Sequence, residues 1–237
     1  MKRLFFETID STNAYLKRNY QKLEDMTFVS ASFQSEGRGR MGRTWMSEKE
    51  KNLTFSLLIK DPEVMREYAQ MSVLSAFSIA EVLKDYGICD AAIKWPNDVY
   101  VKDAKICGIL LEAVTVQEME CLIIGIGLNV NEERFSEDFL YKATSMKLLL
   151  QKEIDLEELK EAVYRRLADN IKKMKRGEDF HEKIAALDYL KGKKAFCSID
   201  GQNRQIEVLG IDRDYSLKVL CEQEVRNLSS SEITFHI

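Results

Sequence analysis

Apolar residues recur along this chain with two periods, and the switches between them mark its elements. From Asn52 to Lys60, Leu53, Phe55, Leu57 and Ile59 alternate with Thr54 and Ser56, the pattern of a half-buried strand, which Asp61-Pro62 ends. From Arg66 to Tyr86 the apolar set Ala69, Val73, Ala76, Phe77, Ala80 and Leu83 takes helical spacing, which predicts a long core helix that stops before Gly87. Asp155 to Arg176 repeats the helical pattern through Leu156, Leu159, Val163, Leu167, Ile171 and Met174, with Gly177 beyond its end. Lys2 to Ile9, Thr27 to Gln34 and Glu120 to Leu128 read as further strands, and Thr144 to Leu150 and Phe180 to Leu190 as shorter helices. Glu132 to Tyr141 has no period and reads as a loop. After Lys193 come about five short strands with turns at Asp200-Gly201-Gln202-Asn203 and Asp212-Arg213-Asp214-Tyr215, ending in Glu232 to Ile237. That change of texture places a boundary near Lys191-Gly192, between a domain of residues 1–190 and a small β-barrel of residues 191–237.

Several stretches do not fit plain packing. Asp10-Ser11-Thr12-Asn13 offers N-cap side chains before Tyr15, Leu16 and Tyr20, yet one residue suffices to cap; the others leave polar groups free for a ligand. In Ile93-Lys94-Trp95-Pro96-Asn97-Asp98 the proline is unwelcome in a central strand and forces a turn that aims Asn97 and Asp98. A reversal at Asp103-Ala104 returns the chain through Lys105, a lone lysine opening an apolar strand, positioned to meet the Asn-Asp pair across a hairpin. Gly125 and Gly127 interrupt an interior strand, which suggests close backbone approach by a ligand, and Asn129 and Asn131 follow. Gly37-Arg38-Gly39-Arg40-Met41-Gly42-Arg43-Thr44-Trp45 joins small flexible residues to guanidinium forks and an apolar plate, the content of a lid over a small anion with a planar or apolar part.

Composition narrows the partners. The 237 residues are 45% apolar and carry a net charge of -4, which supports a sizeable core and argues against nucleic-acid binding as the main business. Five scattered cysteines without a C-x-x-C pair read as reduced thiols in a cytoplasm, and the presence of only two histidines, His181 and His236, argues against a histidine-based metal site or triad. No export signal or membrane span is expected. The remaining groups imply anionic substrates, and G-x-x-x-x-G-K-[ST] is missing. Joining a carboxylate to the α-phosphate of ATP is a reaction that needs converging cations to screen both reactants.

Taken together, Ser11-Thr12-Asn13, the Gly37–Trp45 stretch, Lys94-Trp95-Pro96-Asn97-Asp98, Lys105 with Gly108-Ile109-Leu110-Leu111-Glu112, and Gly125-Ile126-Gly127-Leu128-Asn129 resemble the biotin protein ligases, in the family's order and over nearly the whole chain. The resemblance implies an α+β fold: a mixed sheet with helices like that of class II synthetases, followed by an SH3-like barrel. It implies biotin and MgATP as substrates, a biotinyl-5′-AMP intermediate, and transfer to one lysine of a biotin carboxyl carrier protein, with no nucleic acid and no membrane among the partners. It also admits a homodimer.

Carried over residue by residue, the resemblance gives Ser11, Thr12, Asn13 and Gln34 to the biotin ring system, with Gly37, Arg38, Gly39, Arg40, Trp45, Lys105, Gly108 and Gly127 completing the biotin site. Arg38, Arg40, Arg43, Trp45, Asn97, Lys105 and Asn129 serve the nucleotide, and Asp98 the magnesium ion. Lys105, Arg40 and Asp98 are the implied catalytic groups; Lys105 neutralises the oxygens shared by carboxylate and α-phosphate, and Asp98 also helps the incoming amine lose its proton. Glu36 departs from the family pattern by placing an acid beside the lid. The chain opens directly on the catalytic domain, so the DNA-binding domain that some members carry ahead of it is not expected. A lipoate or octanoyl ligase is the nearest alternative, and a non-catalytic ligand-binding protein a more distant one.

Overall fold

The computed structural model describes residues 2–135, 142–199, 202–229 and 235–236. Residues 136–141 of the expected loop, Asp200 and Gly201 of the expected turn, and all but Phe235–His236 of the expected last strand lie outside the described residues.

Seven strands, β1 (Arg3–Ile9), β2 (Thr27–Gln34), β3 (Leu53–Ile59), β4 (Ala91–Lys94), β5 (Asp98–Val101), β6 (Ala104–Thr115) and β7 (Met119–Leu128), form one mixed sheet in the order β1-β2-β3-β7-β6-β5-β4. Only β1 and β2 pair parallel; the other neighbours are antiparallel. Helix α1 (Thr12–Asn19) covers one face, and α2 (Pro62–Arg66), α3 (Tyr68–Asp85) and α5 (Leu156–Lys175) pack over the other. A further short helix, α4 (Met146–Leu150), is capped by Ser145, and α6 (His181–Ala185) precedes the second unit. That unit is a five-stranded antiparallel sheet of β8 (Lys194–Ile199), β9 (Gln202–Ile211), β10 (Leu217–Cys221), β11 (Glu224–Leu228) and β12 (Phe235–His236), in the order β11-β10-β9-β8-β12. The α+β class expected from the sequence is the one observed. Among the described residues, no helix is long and apolar enough to cross a membrane.

Three elements differ from their sequence reading, each for a physical reason. Strand β3 is buried on both faces rather than half-buried, because α1 lies over the side that carries Thr54, Ser56 and Leu58. The expected helix from Arg66 begins earlier, as α2, where Asp61 accepts a hydrogen bond from the Glu63 amide and Pro62 fits the first turn; it then breaks at Glu67 before α3. The helix expected to reach Leu190 ends at Ala185, because Leu187 and Tyr189 bond instead to the Ile93 backbone and cover the outer edge of β4.

The second sheet is joined to the first at the Trp95-Pro96 turn. The Trp95 indole N–H donates to the Tyr215 carbonyl at 2.9 Å, and Gln70 donates to the Tyr215 hydroxyl at 2.8 Å. Trp95 is buried, and Tyr215 holds a positive φ of 62° in the β9–β10 turn. Replacing Trp95 with phenylalanine removes this donor from a buried carbonyl. A loss of about 1–3 kcal/mol of stability is the expected result, read as a lower urea midpoint; an unchanged midpoint would show that the contact contributes nothing.

Candidate active site

The site lies on the α1 face of the large sheet, in a cavity that starts at the N-terminus of α1 and runs under the arginine-glycine loop to the Trp95–Asp98 turn. One end is polar and nearly neutral. Ser11 caps α1, its side chain accepting from the Ala14 amide at 3.4 Å. That cap leaves Thr12 and Asn13 in the first turn, both buried and both facing β3 and β7. Gln34, at the end of β2, accepts at Oε1 from the Thr12 amide (2.8 Å) and from the Thr12 hydroxyl (3.0 Å). Asn13 enters the sheet because position 125 is glycine: a Cβ there would stand 2.3 Å from Asn13 Oδ1.

The other end is cationic. A tight turn at Lys102-Asp103, both residues with positive φ, closes the β5–β6 hairpin and sets Lys105 near Asp98. Lys105 Nζ stands 2.7 Å from Asp98 Oδ1, so the meeting across the hairpin expected from sequence is present. The Lys105 backbone is fixed on its other side, its amide donating to the Lys142 carbonyl and its carbonyl accepting from the Thr144 amide. Lys94 lines the same end; burial pulls its ammonium pKa down while the neighbouring Asp98 carboxylate works in the opposite direction. Burial likewise lowers the pKa of Arg40, whose guanidinium donates to Asn97 Oδ1 at 2.9 Å. Asn97 in turn donates to the Ile109 carbonyl, so the lid arginine rests on a rigid post. Cys107 lies between these groups and the core, where burial drives its thiol pKa far up and leaves it a neutral packing residue.

The lid is folded as a small hairpin. Arg38 pairs with Thr44, the Gly39 amide donates to the Arg43 carbonyl at 2.7 Å, and the Trp45 amide donates to the Gly37 carbonyl at 3.0 Å. Met41 and Gly42 turn it with positive φ. Its last residue carries the indole across the sheet. A Cβ on Gly127 would meet the Trp45 ring at 2.3 Å, and one on Gly108 would meet both the ring and the Lys105 side chain at 3.1 Å. Because Gly108 and Gly127 are paired in register, the two glycines form one flat floor beneath the ring.

Of the residues singled out from sequence, the cavity collects Ser11, Thr12, Asn13, Gln34, Arg38, Gly39, Arg40, Arg43, Trp45, Asn97, Asp98, Lys105, Gly108 and Gly127. Gly37 and Asn129 are not among its lining residues. Gly37 is buried at the base of the lid, where a Cβ would stand 2.3 Å from the Trp45 carbonyl oxygen. Asn129 is buried and donates to the Thr144 carbonyl, holding the segment that clamps Lys105. Asp98 is the sole acid lining the cavity among the described residues, and no cluster of three metal-ligating side chains occurs among them. That donor set fits a magnesium ion held mostly by phosphate oxygens and water, and does not fit an all-protein cage.

Sequence reasoning missed Ser56 and gave Glu112 no role. Ser56 is fully buried and touches both Thr12 and Asn13; Glu112 accepts from Asn13 at 2.8 Å. A hydroxyl at the centre of an otherwise apolar strand was the available signal for Ser56. For Glu112 the available signal was its place at the end of the Gly108–Glu112 motif, since by itself a carboxylate at the end of an apolar run usually faces water.

The geometry has counterparts among known proteins. A family model for the biotin/lipoate A/B protein ligase family matches residues 5–129. The bifunctional ligase/repressor BirA of Salmonella typhimurium is 35% identical over 133 residues, 56% of this chain and 42% of that protein. The biotin–[acetyl-CoA-carboxylase] ligase of Paracoccus denitrificans is 33% identical over 127 residues, 51% of each. This chain therefore spans between four-tenths and about half of the length of these curated relatives. A solved structure of biotin protein ligase from Aquifex aeolicus in complex with biotin and ATP superposes with a TM-score of 0.88 at 27% identity, covering 99% of this chain and 98% of that one. The matched stretch runs from β1 to the end of β7, through both ends of the cavity and the lid between them, and on that ground the chain belongs to the biotin/lipoate A/B protein ligase family.

Proposed function

We propose that this protein is a biotin–protein ligase that works in the cytoplasm: it converts biotin and MgATP to biotinyl-5′-AMP and pyrophosphate, then transfers biotin to a lysine of a carboxyl carrier protein. One observation carries the reading. A single cavity has a neutral hydrogen-bonding end at Thr12 and Gln34 and a cationic end at Lys105, Arg40 and Lys94. A cyclic urea fits the first, and a carboxylate meeting a triphosphate fits the second.

In the first step a biotin carboxylate oxygen attacks the α-phosphorus, and the bond to the pyrophosphate oxygen breaks. Negative charge grows on the phosphoryl oxygens, and Lys105, fixed along its backbone and through Asp98, provides preorganised positive charge there. Arg38 and Arg43, exposed at the mouth, reach the outer phosphates, and Arg40 closes the lid onto Asn97. Magnesium, when bound, neutralises phosphate charge beside Asp98. In the second step the carrier amine attacks the anhydride carbonyl and AMP leaves, the amine's proton passing to the Asp98 carboxylate in this reading.

Pyrophosphate release with ATP and magnesium, compared for biotin, lipoate and octanoate, tests the reading. Release with biotin at least tenfold above the other two acids is expected, because neither lipoate nor octanoate carries N–H groups for Thr12 and Gln34 to accept, and a missing partner in a polar pocket is discriminated strongly. Equal or greater release with lipoate or octanoate would overturn the biotin assignment.

A further inference from the structure

The polar end of the cavity is the start of a hydrogen-bond chain that leaves the site, and the direction of that chain decides what the site can accept. Asn13 Nδ2 donates to Glu112 Oε2 at 2.8 Å, Ser56 Oγ donates to Asn13 Oδ1, and Thr12 Oγ1 and Ser56 Oγ stand 2.7 Å apart. Thr12 Oγ1 also lies 3.0 Å from Gln34 Oε1. Thr12 and Ser56 are buried, and Gly125 gives Asn13 room to reach them.

Counting protons fixes the order. A carboxylate only accepts, and Glu112, with Lys17 3.9 Å away, therefore requires the amide nitrogen of Asn13 to face it. Asn13 Oδ1 then faces Ser56 and takes the one proton that the serine has. The Ser56 oxygen is left as an acceptor towards Thr12. The single Thr12 proton thus has two destinations, Ser56 Oγ or Gln34 Oε1. A ligand N–H that approaches Gln34 Oε1 displaces the Thr12 proton to Ser56, and Thr12 Oγ1 keeps a lone pair for a second ligand N–H.

The geometry points to Glu112 as a positioning residue for substrate specificity: through Asn13 and Ser56 it holds Thr12 and Gln34 in the acceptor state that a ligand with two neighbouring N–H donors needs. This inference rests on the biotin reading, whose cyclic urea is such a ligand. Glu112 touches no reacting atom in it. Its negative charge is what polarises the chain; an amide at this position can donate as well as accept, so Asn13 can turn over, Ser56 can donate to Thr12, and Thr12 then commits its proton to Gln34.

The test compares the wild type with Glu112→Gln, Glu112→Asp and Ser56→Ala in pyrophosphate release. The ligands are biotin and its analogue in which one ring N–H is replaced by oxygen, a cyclic carbamate. For Glu112→Gln, KM for biotin should rise about tenfold or more, with kcat at saturating biotin and KM for ATP nearly unchanged. The preference for biotin over the carbamate should shrink by a similar factor. Glu112→Asp keeps the carboxylate and should recover most of that preference, whereas Ser56→Ala removes the alternative acceptor and should lose it with Glu112 intact. An unchanged biotin KM and preference in Glu112→Gln would overturn the inference. So would an equal loss with both ligands in all three variants together with lower Tm values, which marks a merely structural role. Failure of the wild type to use biotin would overturn the biotin reading and this inference with it.

Discussion

Replacing Lys105 with alanine is expected to lower the rate of biotinyl-5′-AMP formation a hundredfold or more while leaving the fold intact. The ammonium lies at the β5–β6 end of the cavity, where it can face a carboxylate and a phosphate at once, and it is preorganised, with Asp98 at 2.7 Å and its backbone bonded on both edges. Removing one such donor from a site shielded from water costs about 3–4 kcal/mol of transition-state stabilisation. The variant also removes the closest cation from the Asp98 carboxylate, although Lys94 and Arg40 still interact with it. The side chain is mostly buried yet lies at the cavity edge, and the backbone clamp does not involve it, so a large stability change is not expected. Single-turnover measurement of pyrophosphate release, with a thermal melt as control, checks this; activity within threefold of wild type would remove Lys105 from the chemistry.

The second large effect belongs to Gly37. An alanine Cβ would stand 2.3 Å from the carbonyl oxygen of Trp45, a backbone atom that no rotamer change can move aside. The variant has to break the Gly37–Trp45 pairing that closes the base of the lid hairpin. Trp45 then leaves the floor formed by Gly108 and Gly127, and the cavity opens to water. The expected result is an adenylate that escapes or hydrolyses at least tenfold faster in the absence of acceptor, with the melting temperature little changed because the lid lies outside the main core. Gly39→Ala is the comparison: its Cβ meets the Arg43 carbonyl at 3.4 Å, an ordinary contact, and its effect should be much smaller. A Gly37→Ala protein that retains adenylate as the wild type does would show that the hairpin base is not what closes the lid.

Much of this was legible in the sequence where local rules govern. Helical spacing located α3 and α5, the proline located the turn that carries Asn97 and Asp98, and Lys105 was placed against Asp98 by hairpin geometry alone. The misreadings came from long-range effects. Alternation in β3 correctly separates its two faces, but nothing local says that α1 will cover the polar one. The glycines of β7 line the cavity, but nothing local says that the side chains packed against them are Asn13 at Gly125 and Trp45 at Gly127, more than eighty residues away in sequence. Gly37 and Asn129 lie in motifs most of whose other members line the cavity, and only the three-dimensional contacts show that these two hold the walls in place. Glu112 acts through Asn13, a pairing across 99 residues that no pattern along one strand can announce.

The chain has two tryptophans, and they report on different things. Trp95 is fixed between the two sheets with its N–H on the Tyr215 carbonyl; Trp45 rides on the lid with its ring over two glycines. Indole emission responds to its surroundings, and because Trp95, although buried, also lines the far end of the cavity, the Trp95→Phe protein isolates the emission of the lid. The protein thus carries its own optical gauge of lid closure, and closing rates can be followed in stopped flow without attaching a dye.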